Sequence, residues 1–148
     1  MTQEDKDLLL RDLCCRLPHG VRMFEIEPIN DIQSNLTLQS ITNKASVICI
    51  TPSGGVIGSS IDAFKPYLFP LSSMTEEQYE SLRESGILSN CSHSYEYVNP
   101  HIHGVSFIFK EFKTYSLELI EWLNKNHFDY RGLIERGLAI DCTNLNIY

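Results

Sequence analysis

The chain has 148 residues, 43% of them hydrophobic and 21% charged, the proportions of an ordinary globular domain and not of a disordered or fibrous chain. Nineteen acidic residues against 12 basic ones give a formal net charge of -7, and steering of that sign repels phosphate, which argues against a nucleic-acid binder. No apolar run reaches bilayer length, and five cysteines without regular spacing make neither a disulfide framework nor a thiolate zinc site.

A chain of this length buries roughly 70% of its unfolded surface and needs no metal or disulfide to fold. One domain over residues 1–148 is expected. The acidic start lacks the basic-then-apolar order of a signal peptide. The expected location is therefore the cytoplasm, with reduced thiols and with Cys14 and Cys49 as small core residues.

Thr2 can cap a first helix, with Glu4 and Asp5 in the turn where the macrodipole favours negative charge. Leu9, Leu13 and Leu17 form its apolar stripe. The pairs Asp7–Arg11 and Asp12–Arg16 are expected on its wet side, and Pro18 and Gly20 close this leader over residues 1–20. Strands are predicted within residues 21–71. Phe24 and Ile26 share a face in the first, and Leu36 and Leu38 in the second. Two β-rich runs flanking Thr51-Pro52-Ser53-Gly54-Gly55 read as a hairpin. Pro66 and Pro70 argue against a helix or a central strand there, so a fixed connector is expected, pressing Tyr67, Leu68 or Phe69 into the core.

Thr75-Glu76-Glu77-Gln78 is a capping box opening a helix over 75–86, stopped by Gly86 and anchored by Tyr79 and Leu82. Residues 87–112 read as an irregular segment rich in Ser, Asn, His and Tyr, followed by one strand in which Val105, Phe107 and Phe109 alternate with Ser106, Ile108 and Lys110. That strand is expected to pair with the earlier sheet. A helical pair is predicted over 114–137. Thr114 or Ser116 opens it, Leu119, Ile120 and Leu123 form its stripe, Asp129 caps the second helix and Gly137 ends that helix. The tail over 138–148 either adds an edge strand or frays. The fold class is α+β: a small antiparallel sheet, possibly an SH3-like barrel, packed by the N-terminal helix and the C-terminal helical pair.

Five groups of residues bear on chemistry. His93, His101 and His103, with Glu96 nearby, are a candidate site for zinc or another divalent ion; Pro100 and Gly104 bracket the last two, which equally suits a plain polar turn. Cys91 beside His93 is a candidate nucleophile pair, but nothing basic in sequence surrounds the thiol. Glu25 and Glu27 on one strand face read as solvated, and the glycines at 54, 55 and 58 match no phosphate-loop spacing. Tyr130 and Arg131 sit at a turn. Arg131 either pairs with Asp129 or Glu135 or faces a partner, since Arg and Tyr are favoured interface anchors.

Three blocks carry a resemblance. Leu8-Leu9-Leu10-Arg11-Asp12-Leu13-Cys14 with Arg16-Leu17-Pro18-His19-Gly20-Val21 is the first. Lys65-Pro66-Tyr67-Leu68-Phe69-Pro70-Leu71-Ser72-Ser73-Met74-Thr75-Glu76-Glu77 is the second. The third is Trp122-Leu123-Asn124-Lys125-Asn126-His127-Phe128-Asp129-Tyr130-Arg131-Gly132-Leu133-Ile134-Glu135-Arg136-Gly137. Together they resemble a family of small proteins encoded by phages and mobile elements of gut bacteria, which has no assigned activity. His19 stands where an aromatic is usual, and Ile140-Asp141-Cys142-Thr143 replaces a Leu-Glu-Ala-Pro type of ending. The resemblance implies a fixed frame, with the variable middle free to bind. The expectation is a non-enzymatic accessory protein without a cofactor. It would bind a protein partner through a surface holding Tyr130, Arg131 and segment 89–103, with Tyr95 and Tyr97. A metal-dependent protein using the three histidines, or a small-ligand sensor on the curled sheet, are the alternatives.

Overall fold

The computed structural model describes residues 1–26, 36–42, 46–98 and 106–148. In chain order its helices are α1 (Gln3–Arg16), α2 (Glu76–Glu84) and α3 (Leu117–Lys125). Its strands are β1 (Arg22–Glu25), β2 (Leu36–Ile41), β3 (Ser46–Ile50), β4 (Val56–Ser60), β5 (Phe64–Pro70), β6 (His93–Val98), β7 (Ser106–Phe112), β8 (Phe128–Asp129) and β9 (Ile140–Asp141). The class is α+β. Contacts gather the chain into two units, Met1–Leu68 with Arg131–Tyr148, and Phe69–Tyr130.

In the first unit Thr2 and Asp5 form a reciprocal capping box that starts α1. Its buried stripe runs through Leu9, Asp12, Leu13 and Arg16, the 3–4 spacing of one helix face. The Asp12–Arg16 pair, expected in water, is therefore fully buried, with Nε 2.6 Å from Oδ2. The same geometry corrects the cysteines: Cys14 is exposed beside Cys15, whereas Cys49 is buried as expected.

The strands of this unit run in the order β4-β3-β2-β1-β5, every neighbour antiparallel. Alternation sends Met23, Leu36, Leu38, Val47 and Cys49 inward. Phe24 and Ile26 do share a face, but it is the one away from Met23, and Ile26 is exposed. The β3–β4 hairpin is closed by Thr51, whose Oγ1 accepts the Gly55 N–H at 2.8 Å. The sheet is open and not a barrel. β5 takes its further partner from the tail, in parallel through Tyr67↔Ile140 and Leu68↔Asp141, and not from β4. Tyr148 holds that tail: its hydroxyl accepts the Arg22 N–H at 3.0 Å and donates to the Tyr67 carbonyl at 2.8 Å.

β5 is a paired strand despite its prolines. Each residue offers its N–H to one side only, and the prolines sit where ladders stop. Pro66 is the last position in register with β1, and Pro70 ends the strand.

The second helix of the predicted C-terminal pair is a single turn. Leu138 N–H reaches the Leu133 carbonyl at 2.8 Å, and Gly137 N–H reaches Ile134 at 3.0 Å. With Gly137 at φ 69 this is a Schellman closure, sealed by the buried pair Leu133 and Leu138. The stop signal at Gly137 was legible. Asp129, expected as the cap, lies instead in β8.

In the second unit Thr75 and Gln78 form the predicted capping box of α2, and Ser116 caps α3 by accepting the Leu119 N–H at 3.2 Å. The segment expected to be irregular contains β6. β7 pairs with β6 in a separate antiparallel sheet, and not with the earlier strands. β8 runs parallel to the last two residues of β5. Tyr79, Leu82, Phe109, Phe112, Leu119, Leu123 and Phe128 share one core, with Trp122 stacked on Phe128 at 5.7 Å and 10°. His127 takes a positive φ of 59° and its N–H returns to the Asn124 carbonyl, so α3 stops sharply and releases Phe128 into β8.

Candidate tyrosine surface

Alternation along β6 places His93, Tyr95 and Tyr97 on one side. Register adds Phe112, Phe109 and Phe107 opposite them, with a bulge between Ser94 and Tyr95 that leaves Lys110 unmatched. From α2, the Tyr79 ring backs this row, 4.9 Å from Tyr95, 5.3 Å from Phe107 and 5.5 Å from His93. Such offset and tilted contacts add to the stabilisation from burial and hold the rings in place. Tyr79 is 3% exposed, whereas Tyr95 and Tyr97 are 44% and 49% exposed. The row thus passes from a fixed interior ring to two rings in water.

Polar contacts fix the orientation. His93 Nδ1 is 3.1 Å from the Cys91 carbonyl and Nε2 is 2.8 Å from the Tyr79 hydroxyl. A carbonyl only accepts, so the neutral ring carries its proton on Nδ1, and Nε2 accepts from Tyr79. Burial, followed by the nearby Tyr95, raises the Tyr79 phenol above its ordinary range and keeps it a donor. Tyr97 donates to Glu76 Oε1 at 2.8 Å. That bond to a carboxylate, ahead of the lesser effect of burial, pushes the Tyr97 phenol up to about 12. On the other side of the sheet Glu96 holds Lys110 at 2.6 Å.

A titration checks this arrangement. Followed by ultraviolet absorbance or by tyrosine ring resonances, Tyr97 should ionise near 12. Glu76→Gln should bring it back toward roughly 10, the ordinary phenol value. The sign follows from charge: a phenolate beside the Glu76 carboxylate is disfavoured, and a neutral amide removes that penalty. An unchanged Tyr97 titration in the variant would refute the assignment.

Of the residues singled out in the sequence, the structure brings Tyr95, Tyr97 and His93 together. Tyr130 belongs to the same unit but packs elsewhere, 5.8 Å from Tyr115. Arg131 belongs to the first unit, where its Nε lies 3.4 Å from the buried Asp12 and its guanidinium 3.8 Å from Cys15 Sγ. Asp12 is thus a partner of Arg131 that the sequence did not suggest. His101 and His103 lie outside the described residues, as do Glu27 and Val105. Among the described residues no group of three or more His, Cys, Asp or Glu could hold a metal ion.

Cys91 is buried, and its thiol points to the Ile87 carbonyl at 3.6 Å. Burial pushes the Cys49 thiol up to about 12 and the Cys142 thiol up to about 11, the behaviour of inert packing residues. A shallow cleft of about 240 Å³, lined by Ile87, Glu118, Glu121, Trp122 and Lys125, is smaller than the roughly 300–1,000 Å³ of small-molecule sites. No helix among the described residues is long and apolar enough to cross a membrane.

No known protein family, curated protein or solved structure matches the chain. The surface is therefore read from its own chemistry. Sequence reasoning missed Tyr79 and Phe107 as its backing. Tyr79 was visible only as a helix anchor, and its place behind Tyr95 depends on the β6–β7 register.

Proposed function

We propose that this protein is a non-enzymatic accessory protein of a phage or mobile element, acting in the bacterial cytoplasm by binding a protein partner through the tyrosine face of β6 and β7. The observation that carries the reading is the pair Tyr95 and Tyr97, about half exposed, side by side at 5.8 Å and backed by packed rings. Tyrosine supplies large contact area with little conformational freedom to lose, and it is enriched among the residues that dominate interface energies. The resemblance of the three sequence blocks supports the phage or mobile-element setting. The net charge of -7 suits a basic partner.

Capture from bacterial host lysate tests this, with the double variant Tyr95→Ser/Tyr97→Ser as the control and circular dichroism to verify that both proteins are folded. The expected result is a protein retained by the wild type and weakened by a factor of roughly 30 in the variant, the effect of losing about 2 kcal/mol at an interface anchor. Equal retention by the two proteins overturns the proposal.

A further inference from the structure

We infer that the corner between Tyr95 and Tyr97 seats a cationic side chain, an arginine or a lysine, of a basic segment in the partner. This rests on the binding reading above. The two ring planes stand at 88° with centroids 5.8 Å apart, and Phe107 closes their inner side at 5.6 and 5.7 Å, while each tyrosine keeps about half of its surface in water. The π-face of a tyrosine attracts a guanidinium or ammonium group held within about 6 Å of its centroid.

The charges around the corner favour that occupant. Glu76 accepts the Tyr97 hydroxyl proton, and among the described residues it pairs with no cation. Glu80 follows one turn later on α2 and acts on both Tyr79 and Tyr97, with Arg83 as its partner. Lys110, the nearest lysine of the sheet, is held by Glu96 on the opposite side and does not compete. An incoming cation would rest on the exposed part of these rings, with Glu76 at the Tyr97 hydroxyl and with acceptor capacity left on that carboxylate. A neutral apolar side chain would gain the ring contact but leave the carboxylate unmatched.

The full chain is titrated with N-acetyl-arginine amide, and separately with the near-isosteric neutral N-acetyl-citrulline amide, while the ring resonances of Tyr95 and Tyr97 are followed. The arginine derivative should produce saturable shifts at both rings, and the citrulline derivative should bind at least about fivefold more weakly, within the range of a cation–π contact. Glu76→Gln should weaken only the arginine response. This residue is solvent-exposed at the start of α2, and a matching far-ultraviolet spectrum verifies its fold; Glu80→Gln serves as the second variant, with a smaller loss expected because Arg83 already offsets that charge. Equal responses to the two derivatives, or none to either, overturn the cationic seat. If that happens while Tyr95→Ser/Tyr97→Ser still abolishes capture, the binding reading stands with another occupant. If capture also survives the double variant, both readings fall.

Discussion

Asp12→Ala should destabilise the protein by about 3–5 kcal/mol, because it removes a carboxylate that a buried guanidinium bonds through two nitrogens. Asp12 and Arg16 are both at 0% exposure, joined by bonds of 2.6 and 3.1 Å. Arg131 adds a second guanidinium at 3.4 Å from Asp12. Desolvating a pair of charges costs several kcal/mol per ion and is offset only while the geometry is complete. Removing the carboxylate leaves the cost of the buried guanidinium and deletes these two bonds. The double replacement Asp12→Leu/Arg16→Met should recover most of the loss, since apolar residues of similar volume carry no such penalty. Urea unfolding followed by circular dichroism gives both numbers. A loss below about 1 kcal/mol for Asp12→Ala, the size of a surface pair, would show that this group is hydrated and not buried.

Phe109→Ala should cost a similar amount, about 3–5 kcal/mol for a large aromatic removed from a packed interior. Phe109 is fully buried, with ring centroids 4.5 Å from Phe112 and 6.2 Å from Tyr79. The ring props the layer on which Tyr95 and Tyr97 rest, so truncation should also weaken partner capture although Phe109 reaches no solvent. Hydrogen exchange mapped by residue provides the test. Amides of β6, β7 and α2 should lose protection, and unchanged exchange there would mean that Phe109 does not support the tyrosine face.

The elements that sequence reasoning located are those specified within a turn or two of chain. Thr2, Thr75 and Ser116 cap their helices because each side-chain oxygen accepts a backbone N–H only three residues on. Thr51 to Gly55 reads as a hairpin because its turn residues are contiguous. Errors arose where distant partners decide. Asp12 and Arg16 have the spacing of an exposed helical pair, and only the strands packed against α1 make that side the inner one. β6 was missed because its histidine, serine and tyrosines look like loop composition until β7 supplies the cross-strand phenylalanines. β5 defied its two prolines because its neighbours change along its length. Tyr95 and Tyr97 were legible as candidates. The interior tyrosine behind them and the carboxylate beside them depend on α2 meeting β6 across 14 to 21 residues of chain.

The division of the chain carries a consequence for synthesis. Residues 69–130 are one uninterrupted stretch, whereas the other unit is built from 1–68 and 131–148. Leu133, Leu138, Ala139 and Cys142, all buried, are made after everything else in that core. On the ribosome the inserted stretch has all its own parts as soon as Tyr130 emerges, while α1 and the earlier-made strands must wait for these last side chains to complete their shared core.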